Sequence, residues 1–213
     1  MVDSGGPDRA SSYRTLEGEG ASERTVERSR FLGHAAPVET EQEANALVEQ
    51  IRDEHYDARH VCYGLRLGRG AQSIDRSNDD GEPPRTGGFP IWQILDGEGI
   101  TDAIAVVVRY YGGVKLGPGG LARAYRDTAR QAIEDAGVVE RYPEVEVVLQ
   151  VPYQRHGEVE HLIDEHAGVR LIDESFTDEV SLTLAVRWQD IDEVRSTISG
   201  LLNREAESLF DDG

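Results

Sequence analysis

Two stretches hold the side chains best suited to chemistry. The first, Arg109–Tyr125 (RYYGGVKLGPGGLARAY), sets five glycines into the nine residues Gly112–Gly120, around Lys115, the sole lysine of the chain. Glycines let a backbone bend and bring its N–H groups close to a ligand. A helix starting beyond them leaves N–H groups free beside a partial positive charge. Arg109, Gly112, Gly113, Lys115, Gly117, Gly119, Gly120, Arg123 and Arg126 thus form a candidate site for a phosphate or a nucleic-acid backbone. Arg123, Arg126 and Arg130 share one helix face. From Ala103 to Ile133, five basic residues stand against one acid, Asp127, a net of +4. The spacing is not the phosphate loop GxxxxGKS/T, and no Ser or Thr follows Lys115 to hold magnesium. It is not the GxGxxG fingerprint either, which sets aside ATPase and dinucleotide-binding readings. A purely structural role stays open, in which the glycines let a helix approach a sheet and the arginines pair with surface acids.

The second stretch is Asn78–Pro83 (NDDGEP). With His60 and Thr86, its Asp79, Asp80 and Glu82 make a candidate acidic-turn surface. Three carboxylates suit Mg²⁺ or Ca²⁺, but the oxygens of an EF-hand loop are missing. Asp–Gly and Glu–Pro are also ordinary turn chemistry, and the turn reading is favoured. No metal ligand set and no cofactor is expected. His60 and Cys62 lie two apart on a strand, hence on one face, without a third ligand in view. His156, His161 and His166 are spread round a helix and read as solvated.

These residues need elements to position them. Residues 1–21 are rich in Gly, Ser and acids and read as a flexible tail. RTVERSRFLGHAAPV reads as two strands with a tight reversal. Thr40 opens a capping box before a helix whose Ala44, Leu47, Val48 and Ile51 recur at helical spacing. His60–Gly68 alternates as a strand does, and residues 69–88 read as a long polar loop. A short helix starts near Pro90. Ala103–Tyr111 is a buried central strand, and a helix from about Pro118 ends near Gly137. Beyond Arg141 the pattern is strand, helix, strand, strand, helix, strand, closing with Glu205–Phe210. That order is the ferredoxin-like plait. The domains expected are 22–141 and 142–213.

Composition narrows the function classes. The chain has 213 residues, 41 acidic against 22 basic, for a net charge of −19. Excess acid with lysine almost eliminated is the pattern of a halophilic protein working in molar salt, where the Debye length falls to about 3 Å. One cysteine, Cys62, excludes an intrachain disulfide and a four-cysteine zinc site. The longest aliphatic run, Ala103–Val108, is far short of the ~20 residues that cross a bilayer. No signal peptide is visible, so the reading is cytoplasmic, with no membrane partner.

The segments Asp79–Pro90 (DDGEPPRTGGFP) and Val106–Tyr125 (VVVRYYGGVKLGPGGLARAY) resemble the YigZ/IMPACT family, as do Ala58–His60 and Arg28–Val38. Arg85 stands where that family usually has glycine, Gly87 where alanine is usual, and Arg59 where threonine is common. The resemblance implies an α+β protein of two-layer α/β domains: a ribosomal-protein-like βαβ domain, then a plait resembling the last domain of elongation factor G. Its eukaryotic branch restrains a stress-activated initiation-factor kinase through a partner protein. The resemblance implies a non-enzymatic regulator of translation or stress response, binding RNA, the ribosome or a protein partner. Two alternatives stand beside it: a hydrolase-type enzyme on a phosphorylated or peptide-like small molecule, and a protein-interaction module. From Glu144 on, 5 basic residues face 17 acids, and the plait strands lack an aromatic platform. Any RNA contact is therefore expected in the first domain.

Overall fold

The structure, a computed structural model, describes residues 12–70, 73–202 and 210–211. They divide into two compact units, one spanning Tyr13–Arg141 and the other starting at Tyr142. In chain order the first unit holds β1 (Tyr13–Leu16), β2 (Gly20–Val26), β3 (Ser29–Pro37), α1 (Glu41–Glu54), β4 (His60–Leu67), β5 (Ile74–Asn78), α2 (Gly88–Glu98), β6 (Ala103–Tyr110), α3 (Gly117–Ala136) and β7 (Val138–Arg141).

Five strands form an antiparallel sheet in the order β2-β3-β6-β4-β5. The crossover β3–α1–β4 leaves a gap that β6 fills, a split βαβ arrangement. The aliphatic run of β6 is buried on both faces, because helices cover both. Ala105 and Val107 join Phe31, Ala35 and Cys62 beneath Ile91 and Leu95 of α2 and Leu121, Tyr125 and Ala129 of α3. Ile104, Val106 and Val108 join Val61 and Leu65 beneath Ala44, Val48 and Ile51 of α1. Odd and even positions of one strand thus feed two cores, as the two-residue period requires. Each fully buried aliphatic side chain contributes about 1.5–3 kcal/mol relative to an exposed one. Thr40 caps α1, its hydroxyl accepting from the Glu43 N–H at 3.1 Å. Glu27 and Arg28 form the two-residue β2–β3 turn at φ 46° and 68°, the left-handed pair that a tight hairpin needs.

Two segments differ from the sequence reading. Tyr13–Leu16, within the expected tail, is a strand paired with β7, and Leu16 is fully buried. Residues 1–11 of that tail lie outside the described residues. Ile74–Asn78, within the expected polar loop, is the edge strand β5. Its side chains are exposed or half-buried, so it carries no apolar alternation to betray it.

The second unit holds β8 (Glu144–Val151), α4 (His156–Glu165), β9 (Val169–Phe176), β10 (Val180–Arg187), α5 (Ile191–Leu202) and β11 (Phe210–Asp211). Its antiparallel sheet runs β11-β8-β10-β9, which is the ferredoxin-like plait. Val147, Leu149, Val151, Leu182 and Leu184 pack against Val159 and Ile163 of α4 and Val194 and Ile198 of α5. Of the final strand expected over Glu205–Phe210, residues 205–209 lie outside the described residues. Both units mix helices with antiparallel sheet, an α+β protein. Among the described residues no helix is long and apolar enough to cross a membrane.

Candidate functional site

The odd series of β6 that fills the α2/α3 core ends in Arg109. Across the ladder Arg109 pairs with His60 of β4 and Phe31 of β3, which places all three on the same face. Arg109 is only 5% exposed. A buried guanidinium needs a partner, and Glu82 of the acidic turn supplies it. Glu82 Oε1 accepts from Arg109 Nη1 at 2.5 Å and from the Tyr125 hydroxyl of α3 at 2.9 Å. His60 Nε2 stands 3.8 Å from the same oxygen. Arg109 Nη2 also donates to the Ser29 hydroxyl at 3.3 Å, and that hydroxyl accepts from the Gly112 N–H at 3.2 Å. Desolvation pushes the Tyr125 hydroxyl and the Cys62 thiol well up, Tyr125 further through Cys62 and Glu82. Both therefore stay protonated and act as donors; Cys62 donates to the Asp79 carbonyl at 3.0 Å.

The other acidic-turn residues are committed to the fold. Asp79 Oδ1 accepts from the Gly87 and Gly88 N–H groups, both at 2.9 Å, and Oδ2 from the Arg85 N–H at 2.7 Å. These bonds hold the start of α2. Asp80 Oδ2 accepts from the Val61 N–H at 2.7 Å and Oδ1 from Arg52 at 3.1 Å. The Thr86 hydroxyl donates to the Pro83 carbonyl at 2.6 Å. Arg85 turns its guanidinium over the Phe89 ring, 3.6 Å from the centroid. Gly87 leaves room for Cys62, whose sulfur would lie 2.5 Å from a Cβ there.

The glycine segment leads out of β6 and into α3. A Cβ at Gly112 would fall 2.1 Å from the Arg28 carbonyl group, so only glycine lets the chain pass the β2–β3 turn. Gly117 takes φ 69° where α3 begins. No side chain caps α3, so its first N–H groups have no side-chain acceptor.

A cavity of about 430 Å³ opens above the Glu82–Arg109 pair, lined by Arg59, His60, Glu82, Pro83, Arg109, Tyr111, Lys115, Leu116, Gly117, Pro118 and Leu121. Arg59 and Lys115 are exposed on its wall, and neither has a hydrogen-bonding or ion-pairing side-chain partner among the described residues. Among the described residues nine other arginines are matched with acids, as Arg24 is with Asp127 and Arg66 with Asp96.

The structure thus brings Arg109, Lys115, Gly117, His60 and Glu82 to one cavity. Arg126 and Arg130 lie elsewhere, reaching α2 through Gln93 at 3.0 Å and Glu98 at 2.7 Å. Arg123 is exposed, and neither it nor Gly113, Gly119 or Gly120 lines the cavity. Tyr111, Tyr125 and Ser29 were not singled out from the sequence, and Arg59 was noted only as a departure from the family motif. Their roles depend on the β4–β6 and β3–β6 registers, which leave no local mark.

In the second unit, His156 is half-buried rather than solvated, its Nε2 touching Glu174 of β9. A helical histidine meets the sheet when its face is the packed one. The ligand-capable atoms of His156, Glu160 and Glu174 fall within 4.8 Å of one another. Glu160, however, approaches the opposite ring nitrogen, at 3.7 Å. That geometry joins α4 to β9 by hydrogen bonding and does not focus three ligands on one ion.

A family model described as the Impact N-terminal domain matches residues 27–133, and one described as a domain of unknown function matches residues 149–203. The chain is 42% identical over 130 residues to the IMPACT family member YvyE of Bacillus subtilis, spanning 61% of this chain and 59% of that protein. It is 36% identical over 162 residues to the IMPACT family member YigZ of Escherichia coli, spanning 76% of this chain and 79% of that one. A crystal structure described as that of a hypothetical protein covers 90% of this chain and 93% of its own, at 31% identity and TM-score 0.65. The long matches at both domains, on motifs that build one cavity, lead to one conclusion: the chain belongs to the IMPACT family.

Proposed function

We propose that this protein is a non-enzymatic regulator in translation that binds RNA or the ribosome through the cavity beside α3. The observation that carries the reading is that Arg59 and Lys115 both line the cavity without an acid partner among the described residues, in a chain with 41 acids. Two cations without an acid partner among the described residues, Arg59 with its guanidinium 6.0 Å from the Tyr111 ring centroid, lie beside an uncapped helix start and favour an anionic group, which in RNA is phosphate. Family membership supports the translation setting, because the resemblance of the sequence implies ribosomal-protein-like and elongation-factor-like domains. A hydrolase reading would need free carboxylates, and those of Asp79 and Asp80 are taken up by backbone N–H groups and Arg52. A stress-response role, a cytoplasmic setting and adaptation to molar salt belong to the same reading.

The test is sedimentation with ribosomes from a lysate kept in molar KCl. Wild type should travel with ribosomes and Arg59→Ala/Lys115→Ala should stay behind. Arg130→Ala, which removes one positive charge away from the cavity, should behave as wild type. A double variant that sediments like wild type refutes the assignment of the site.

A further inference from the structure

The same cavity offers more than its two cations without acid partners. His60 Nδ1 lies 2.7 Å from the Asp80 carbonyl, which can only accept, so Nδ1 carries a proton. His60 Nε2 stands 3.8 Å from Glu82 Oε1, beyond hydrogen-bond distance, on a residue that lines the cavity, so it is available to a ligand hydroxyl. Arg109, 5% exposed, also lines the cavity, its guanidinium held by Glu82 and Ser29. The remaining wall is apolar and aromatic: Pro83, Leu116, Pro118, Leu121 and the 42%-exposed Tyr111 ring.

We infer that the cavity takes a single ribonucleoside phosphate unit. Its phosphate meets Lys115, Arg59 and the start of α3. A ribose hydroxyl donates to His60 Nε2, and the base lies against Tyr111. The volume, about 430 Å³, is in the small-molecule range of roughly 300–1,000 Å³ and too small for a duplex. Stacking an unpaired base on an aromatic ring and reading the 2′-hydroxyl are the usual means of recognising single-stranded RNA. This inference rests on the anion-binding reading proposed above and adds the chemical class of the ligand.

Calorimetric titration in 1 M KCl tests it with four probes: inorganic phosphate, adenosine 5′-monophosphate, its 2′-deoxy counterpart and a 5′-phosphorylated oligoadenylate. The ribonucleotide should bind at least tenfold tighter than inorganic phosphate, given about 1–3 kcal/mol for a stacked base. It should bind about fivefold tighter than the deoxy form, the worth of one net hydrogen bond. His60→Ala should make ribo and deoxy forms equal while leaving phosphate binding intact. Tyr111→Leu, at the exposed rim and safe for folding, should remove the advantage of the nucleotide over phosphate. A free nucleotide and an RNA end share this chemistry; oligoadenylate binding no tighter than the mononucleotide identifies the free form, and tighter binding the RNA. Phosphate binding that depends on Lys115, with no gain from the nucleoside, overturns the nucleotide inference and leaves the anion site standing. Loss of neither phosphate nor ribosome binding in Arg59→Ala/Lys115→Ala overturns both.

Discussion

At the scale of single residues, the Glu82–Arg109 pair is the hinge of the site. Both side chains are more than nine-tenths buried, and Tyr125 donates to the same carboxylate. Removing one partner of a buried pair strands the other charge and costs about 3–5 kcal/mol, whereas replacing both together costs far less. Urea unfolding of Glu82→Ala should show a loss of that size. Glu82→Gln/Arg109→Met should be clearly more stable than the Glu82→Ala single variant; equal losses would mean the pair is not coupled. A second residue, His34 of β3, gives the protein a pH dependence. Burial, and next His55, hold its imidazole below the ordinary value of 6.5. Its Nε2 is buried without a partner among the described residues. Because the folded pKa is depressed, the unfolded chain binds more protons as pH falls through 6.5, and folding stability falls with it. Above that pH the penalty vanishes. His34→Leu should therefore lose less stability than wild type between pH 7 and pH 5 in paired urea titrations. An unchanged slope would assign the acid sensitivity to other groups.

At the scale of elements, α2 and α3 begin in opposite ways. Asp79 takes the Gly87 and Gly88 N–H groups at the start of α2 and the Arg85 N–H just before it. The start of α3 has no side-chain cap, and the cavity lies against it. The acidic turn is thus a clamp on α2 that also delivers Glu82 to Arg109. Asp79→Ala should cost about 2 kcal/mol or more, the upper end for loss of an N-cap. It should also loosen phosphate binding, since Glu82 is only three residues on. Thermal melts and phosphate titration on the same sample check this. A destabilised variant with unaltered binding would show that the turn serves stability alone. The helix face Arg123–Arg126–Arg130 shows why spacing is not exposure. Two of the three lean on α2, because the side of α3 next to its buried stripe is also the side that meets a neighbouring helix.

At the scale of the whole molecule, charge dominates. A net charge of −19 on 213 residues repels itself in the compact state. Raising KCl from 0.1 to 1 M shortens the Debye length from about 10 Å to 3 Å and relieves that repulsion. Melting temperature should therefore rise steadily across that range in scanning calorimetry. A flat or falling curve would contradict adaptation to salt. The same screening would leave the proposed short-range contact of Lys115 with a phosphate largely intact. The two units carry separate apolar cores, one under α2 and α3 and one in the plait, so each is stabilised by its own burial.

Much of this architecture was legible in the sequence because its signals are local. The unbroken aliphatic run Ala103–Val108, the helical spacing of Ala44, Val48 and Ile51, and the Thr40 cap each depend on neighbours a few residues away. So does the strand and helix order of the plait. The glycine segment and the acidic turn also stood out by composition alone. What only the tertiary structure decided is which charges are free. Cross-strand register sets Arg109 opposite His60 and brings Glu82 to both, converting a presumed anion ligand into half of a buried pair. It leaves Arg59, which the sequence marked only as a departure from the family motif, lining the same cavity as Lys115 without an acid partner among the described residues. Register and burial couple residues tens of positions apart, and no spacing within a strand, a turn or a helix encodes that coupling. The edge strand Ile74–Asn78 escaped notice for a related reason: facing water, its side chains had no periodic demand to meet.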